Sequence, residues 1–346
     1  MRILHVIQEL RTGGAERILV SAYRGAREAG HEVFVAASPG PMAAELDTDP
    51  FPIPVVERRI SRIPSAAAAV RRAVAEIRPD VVHAHNPTMA FTTGLVTRRG
   101  RKPPGLVSLH GGPEKDWPSS VRLVRLSGLA AVACGPGVEA ALEENGLTPV
   151  AMVPNAVSPA PPPADRAELG VGPDTRLVIA VGRLVEQKNH ALAIQAIAEV
   201  PDAVLAIAGQ GVLRHELERL AEETGVADRV RFLGLRPDAR ALMGAADAVV
   251  MPSHWEGLPL SALEALASGT PLVATDVRGL RELVADEENA LLVPEDPHAL
   301  AAALRRMLDD PELAARLAAA GKHVDGAGND RRLVERFLEL YERLAA

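Results

Sequence analysis

One cysteine, Cys134, in a chain of 346 residues can neither close an internal disulfide nor assemble a thiolate metal site. Its flanks, Ala131-Val132-Ala133 and Gly135-Pro136, read as the end of a strand, so the thiol belongs to the core and a reducing cytosol fits. Aromatic residues make up 3% of the chain, too few for the stacking platforms that hold single-stranded nucleic acid. No apolar run approaches the ~20 residues of a membrane-spanning helix. Met1-Arg2 leads straight into an apolar strand, so no secretory leader is expected and the expected location is cytoplasmic. Asp47-Thr48-Asp49 has the form of a metal-binding D-x-D string. It lies in a proline-broken loop, residues 39–54, with no strand ahead of it and no third ligand in sight, so no metal site is assigned.

What is present is ordinary for a globular protein: 47% apolar and 24% charged residues. The length favours two domains over one core. The net charge of −7 hides an asymmetry. Residues 1–160 carry 18 Lys/Arg against 15 Asp/Glu, net +3, and the remainder carries 20 against 30, net −10. A mildly basic first half suits an anionic acceptor or lipid headgroups, which leaves peripheral membrane contact through that half open. The competing reading is scatter, since Arg58, Arg59, Arg71, Arg72, Arg98, Arg99, Arg101 and Lys102 fall in several elements.

Apolar runs alternate with helical periodicity along the chain. In the first half, strands are expected at 2–7, 31–37, 80–83, 105–109, 130–133 and 150–153, with helices at 15–29, 66–77, 88–99 and 137–144. The proline-rich residues 154–163 read as a linker. The pattern then restarts, with strands at 177–181, 203–208, 230–233, 248–251, 271–274 and 290–293. Helices are expected at 190–199, 213–224, 237–243, 280–284 and 298–308. This alternation predicts an α/β protein with two doubly wound parallel sheets. The expected domains are 1–160 and 161–328. An amphipathic helix within 329–346 carries Leu333, Val334, Phe337, Leu338, Tyr341 and Leu344 on its apolar face.

The stretch Met251 to Glu264, M-P-S-H-W-E-G-L-P-L-S-A-L-E, stands out. A strand stops at Pro252, and a loop with Glu256 and Gly257-Leu258-Pro259 runs directly into a helix. Pro259 is expected in the first helical turn and Glu264 two turns in. Ligands of open α/β sheets bind at such strand ends, and a helix N-terminus favours phosphate. Two carboxylates would repel a bare phosphate but accept hydrogen bonds from sugar hydroxyls. Phosphate flanked by polyol describes a nucleotide sugar. A second strand-end loop, Gly182 to Asn189, places Arg183 and Lys188 five residues apart, where two cations could neutralise a diphosphate. Gly209-Gln210-Gly211-Val212-Leu213-Arg214 is close to G-x-G-x-x-G but ends in Arg, and no acidic residue follows at the spacing an NAD ribose needs. His83 and His85 form an H-x-H pair with no carboxylate near in sequence. They are expected to point to opposite faces, with His83 structural and His85 in the acceptor cleft.

The string E-G-L-P-L-S-A-L-E, followed by A-L-A-S-G-T-P-L-V-A-T-D, resembles the Glu-x7-Glu signature of retaining glycosyltransferases of the GT-B type, family 4. The resemblance runs from the first glycine turn to about Val293 and is most specific between Gly182 and Asp276. It implies two Rossmann-like domains facing across a cleft, with the final helix packing back on the first. It implies that Arg183 and Lys188 grip the donor diphosphate, and that Gly209, Gly211 and Leu235 border the donor base. Glu256 would hold the transferred sugar and Glu264 the ribose diol, with Gly257, Leu258, Pro259 and Leu260 beside them. His110, at a strand end, would face the donor sugar. Gly13 and Gly14, in Gly13-Gly14-Ala15-Glu16, match the family's N-terminal glycine turn against donor phosphate and sugar. The chain departs from the family pattern at Asn155-Ala156-Val157-Ser158, at Arg278 and at Ala290. Residues 36–130 match no motif that identifies an acceptor.

The expected function is therefore retaining, metal-independent transfer from a nucleotide diphosphate sugar, UDP-sugar first, to an acceptor hydroxyl on a small molecule, glycan or lipid-linked acceptor. No cofactor or nucleic acid is expected. The catalytic set is Glu256, His110, Arg183 and Lys188. A nucleotide-sugar epimerase on the same scaffold and a non-catalytic nucleotide-sugar-binding subunit are the alternatives.

Overall fold

The computed structural model describes residues 1–56, 60–97, 103–172 and 174–346. Arg58, Arg59, Arg98, Arg99, Arg101 and Lys102 lie outside them, whereas Arg71 and Arg72 are exposed on a helix. The chain divides into two compact units, Met1–Asn155 with Asp330–Ala346, and Ala156–Asn329.

In the first unit the order is β1 (Arg2–Glu9), α1 (Gly14–Glu28), β2 (Glu32–Ser38), β3 (Phe51–Pro52), α2 (Ile63–Ile77), β4 (Val81–Ala84), α3 (Pro87–Thr97), β5 (Gly105–Leu109), α4 (Trp117–Ser127), β6 (Ala130–Ala133), α5 (Pro136–Glu144) and β7 (Ala151–Met152). The second unit follows with β8 (Arg176–Val181), α6 (His190–Ala198), β9 (Ala203–Ala208), α7 (Arg214–Glu223), β10 (Val230–Gly234), α8 (Ala239–Ala245), β11 (Ala248–Met251), α9 (Leu260–Ser268), β12 (Leu272–Thr275), α10 (Arg278–Arg281), β13 (Leu291–Val293), α11 (Pro297–Asp309) and α12 (Pro311–Gly321). The last helix, α13 (Arg331–Ala345), belongs to the first unit.

Both sheets are parallel, and both have Rossmann-like order: β3-β2-β1-β4-β5-β6-β7 and β10-β9-β8-β11-β12-β13. In each, the order in which strands are added reverses once, between β1 and β4 and between β8 and β11. Those switch points open a crevice at the carboxyl edge of the strands. Along β8, Val178 and Ala180 pack into one core and Leu177 and Ile179 into another. The sheet is thus buried on both faces, and its strands read as unbroken apolar runs.

Two helices beyond those expected are present. In α4, Trp117, Val121 and Val124 form a short buried stripe that the flanking polar residues obscure. In α12, Asp310 caps the helix and accepts from the Leu313 N–H at 2.9 Å. The helix expected at 280–284 is instead α10, Arg278–Arg281. Helix α9 starts at Leu260, with Pro259 extended at its N-cap, and Glu264 is its fifth residue. Pro259 therefore precedes the helix, and Glu264 lies just over one turn in, not two.

Candidate functional site

The loops after β8 and β11 flank the switch point of the second sheet, which brings together residues nearly seventy apart in sequence. Lys188 Nζ donates to Glu256 Oε1 at 2.5 Å, and the Ser253 hydroxyl donates to the same oxygen at 2.6 Å. Gln187 Nε2 reaches Glu256 Oε2 at 3.4 Å and the Trp255 carbonyl at 3.1 Å. The Glu256 and Lys188 side chains are 4% and 15% exposed. A pair this buried leaves an uncompensated charge when one partner is removed, at a cost of roughly 3–5 kcal/mol. Lys188 is therefore engaged by Glu256 rather than standing as a free cation. Arg183 is exposed, and its guanidinium donates to Gln187 Oε1 at 3.2 Å.

Backbone contacts hold the loops. The His254 N–H donates to the Gln187 carbonyl at 2.9 Å, and the Thr275 hydroxyl donates to the Ser253 carbonyl at 2.6 Å. A Cβ on Gly279 would sit 1.9 Å from the Gly257 carbonyl oxygen, so only glycine lets α10 press against the Glu256–Gly257 backbone. Gly209 and Gly211 serve the same end: an added Cβ would lie 1.8 Å from the Gly182 oxygen and 2.1 Å from the Leu184 oxygen. The glycines of the G-x-G string thus seat one loop on the Arg183 loop. His190, the first residue of α6, is buried beneath that loop, and desolvation lowers its pKa to about 4, with backbone at Gly182 opposing.

Helix α9 carries no side-chain cap, so its first amides remain available to an anion. Leu258 and Leu260 are buried, and Leu235 is 39% exposed. Glu264 is buried, with Arg240 Nε 3.8 Å from its Oε1. Arg240 also donates to the Ser158 and Pro159 carbonyls at 2.6 and 3.0 Å, which anchors the start of the second unit to α8.

The remaining candidates, Gly13, Gly14, His85 and His110, belong to the first unit. Gly13 caps α1, and a Cβ there would lie 2.3 Å from a Glu16 carboxylate oxygen. His83 and His85 do not diverge. Residues two apart in a strand share a face, and the two rings stack at 4.0 Å between centroids. His5, paired in register with His83, completes a buried cluster, and its Nδ1 lies 2.9 Å from His85 Nε2. His83 meets the Tyr341 hydroxyl and the Ser108 hydroxyl, each at 2.7 Å. The three rings offer nitrogens within 4.8 Å of one another. Burial lowers all three pKa values, His5 to about 3, and like-charge repulsion among the rings adds to the effect at His83 and His85. His110 lies parallel to His85 at 6.0 Å, and burial lowers its pKa to about 4, with the Asn155 side chain opposing.

Two family models match the chain. "Glycosyltransferase Family 4" covers residues 12–160, and "Glycosyl transferases group 1" covers residues 163–324. The lipopolysaccharide core biosynthesis glycosyltransferase LpsD of Rhizobium meliloti (strain 1021) is 30% identical over 350 residues, spanning 99% of this chain and 98% of its own. The chain is a family 4 glycosyltransferase. Its fold is shared with Anabaena HepE in complex with UDP and glucose (TM-score 0.85, 21% identity, 99% of each chain). It is also shared with sucrose-phosphate synthase from Thermosynechococcus elongatus (TM-score 0.85, 24% identity, 99% of each chain). The glycosyltransferase thus has two Rossmann-like domains of the GT-B type. No helix among the described residues is long and apolar enough to cross a membrane. Sequence reasoning had missed Ser253, Gln187, Arg240 and His5. Ser253 sits three residues before Glu256 and was open to notice. Gln187 adjoins Lys188 in the loop already singled out, whereas Arg240 meets Glu264 from α8 and His5 meets His85 from β1, elements that no local spacing connects to those residues.

Proposed function

We propose that this glycosyltransferase moves a sugar, with retention and without a metal, from a UDP-sugar to an acceptor hydroxyl in glycan or glycolipid biosynthesis. The observation that carries the reading is the Lys188–Glu256 pair at the switch point of the second sheet, next to an uncapped helix N-terminus. Lys188 has three N–H donors. One holds Glu256, and the others, with Arg183 and the α9 amides, are available to a departing diphosphate. Glu256, held by Lys188 and Ser253, accepts from the sugar hydroxyls, and buried Glu264 accepts from the ribose diol. His110, whose pKa burial lowers to about 4, is the candidate that the first unit supplies. In the transfer, the acceptor oxygen bonds to the anomeric carbon on the face from which the phosphate oxygen leaves, and the hydroxyl proton passes to that phosphate. The name of LpsD and the UDP bound to HepE support a sugar-polymer product and a uridine donor.

The test is a thermal-shift screen of nucleoside diphosphates, then an acceptor screen with the matching donor, with product configuration read by proton NMR. UDP should stabilise the protein, and the product should keep the donor's anomeric configuration. An inverted product, or conversion of the donor to its epimer without acceptor, would overturn the reading.

A further inference from the structure

Gln187 lies between Arg183 and Lys188 in the loop after β8, and it also reaches the loop after β11. Its Oε1 accepts from the Arg183 guanidinium at 3.2 Å. Its Nε2 donates to the Trp255 carbonyl at 3.1 Å and to Glu256 Oε2 at 3.4 Å. Its backbone carbonyl accepts from the His254 N–H at 2.9 Å. A carboxamide can accept from a guanidinium and donate to a carboxylate at the same time. Glutamate at this position would have no N–H to donate, methionine would offer neither role, and asparagine is a methylene shorter. The two oxygens of Glu256 are held unequally. Oε1 accepts from Lys188 Nζ at 2.5 Å and from the Ser253 hydroxyl at 2.6 Å. Oε2 has Gln187 as its hydrogen-bond partner among the described residues, and that contact is long. Oε2 is therefore the oxygen with room for a further, shorter hydrogen bond.

We infer that Gln187 is a positioning residue: it aims Glu256 Oε2 at a hydroxyl of the transferred sugar and fixes the Arg183 guanidinium relative to that oxygen. Diphosphate and sugar are then held in one frame. A misplacement of about 1 Å in such a frame can cost roughly a hundredfold in rate. The inference rests on the donor-site reading of Arg183, Lys188 and Glu256, and it adds the residue that couples the two loops.

The experiment uses the full chain. It measures UDP affinity by calorimetry and the rate of UDP release from UDP-glucose, UDP-galactose and UDP-N-acetylglucosamine, with water as acceptor. At saturating donor, Gln187→Met should release UDP about tenfold or more slowly than the wild type, the scale of one lost hydrogen bond to a charged group. Its UDP affinity should change by less than about threefold, and its melting temperature should match the wild type. Gln187→Glu, which keeps the length and the acceptor for Arg183 but has no N–H, should be slowed as much. In a Glu256→Ala background, Gln187→Met should slow release by less than about twofold further, because effects that pass through one partner do not multiply. Wild-type rates in both Gln187 variants, an undiminished effect in the Glu256→Ala background, or a UDP affinity that falls as far as the rate overturns the inference. If the wild type neither binds UDP nor consumes any UDP-sugar, the donor reading fails and this inference falls with it. Any of the first three outcomes in a chain that binds UDP and consumes donor marks failure of this inference alone.

Discussion

His5, His83 and His85 are buried with no carboxylate among their hydrogen-bond partners, and they remain neutral because desolvation penalises the cation. The unfolded chain takes up protons at these rings near pH 6.5, whereas the folded chain does so only at much lower pH. Stability therefore falls as pH falls. The contribution is whole above about pH 6.5 and is lost progressively toward the His5 value of about 3. The melting temperature should drop steadily from pH 7 to pH 4.5. Ring-nitrogen NMR signals of the three residues should stay those of neutral imidazole at pH 5.5. A cationic signature from any of them at that pH contradicts the assignment. The cluster was half legible in the sequence. His83 and His85 stood out as a pair, but pairing them with His5 needs the β1–β4 register, which no local pattern encodes.

Strands, as elements, were the most readable part of the chain, because sheets buried on both faces demand continuous apolar runs. Residues 105–109, 130–133, 203–208 and 248–251 were expected as strands and are β5, β6, β9 and β11 with those bounds. Helix ends were less readable, as Pro259 shows: its ring suits the first turn, yet here it stands one residue ahead. The G-x-G loop was legible as a special turn, but its cause was not. Its glycines answer the backbone of the Arg183 loop. Gly209→Ala should destabilise the protein by about 1–3 kcal/mol through overpacking. It should also weaken UDP by displacing Arg183. Gly172→Ala, where the added carbon would meet only Thr175 Oγ1 at 3.5 Å, serves as the control and should leave both unchanged. Equal melting temperatures for the two variants would contradict the packing argument.

Across the whole molecule, two units repeat one strand order, and in each the switch point is flanked by candidate residues: Gly13, Gly14 and His85 in the first, Arg183, Lys188 and Glu256 in the second. The C-terminal helix is built into the first unit: Tyr341 bonds His83, and Gly25 leaves room for Val334. The Glu-x7-Glu spacing marked the loop that runs into α9, and the topology brings the Lys188 loop beside it. What the spacing could not show is that Lys188 already holds Glu256, while Glu264 faces Arg240.

The division of labour between those two glutamates is the centre of the account, and calorimetry of UDP in EDTA, with initial rates, tests it. A hydrogen bond to a charged group is worth roughly 1.5–3 kcal/mol. UDP should bind without metal. Glu264→Gln should weaken it about tenfold or more by the RT scale, and Glu256→Gln should lower turnover with UDP affinity nearly unchanged. UDP binding that requires Mg²⁺ or Mn²⁺, or an equal loss of affinity in both variants, would contradict the account.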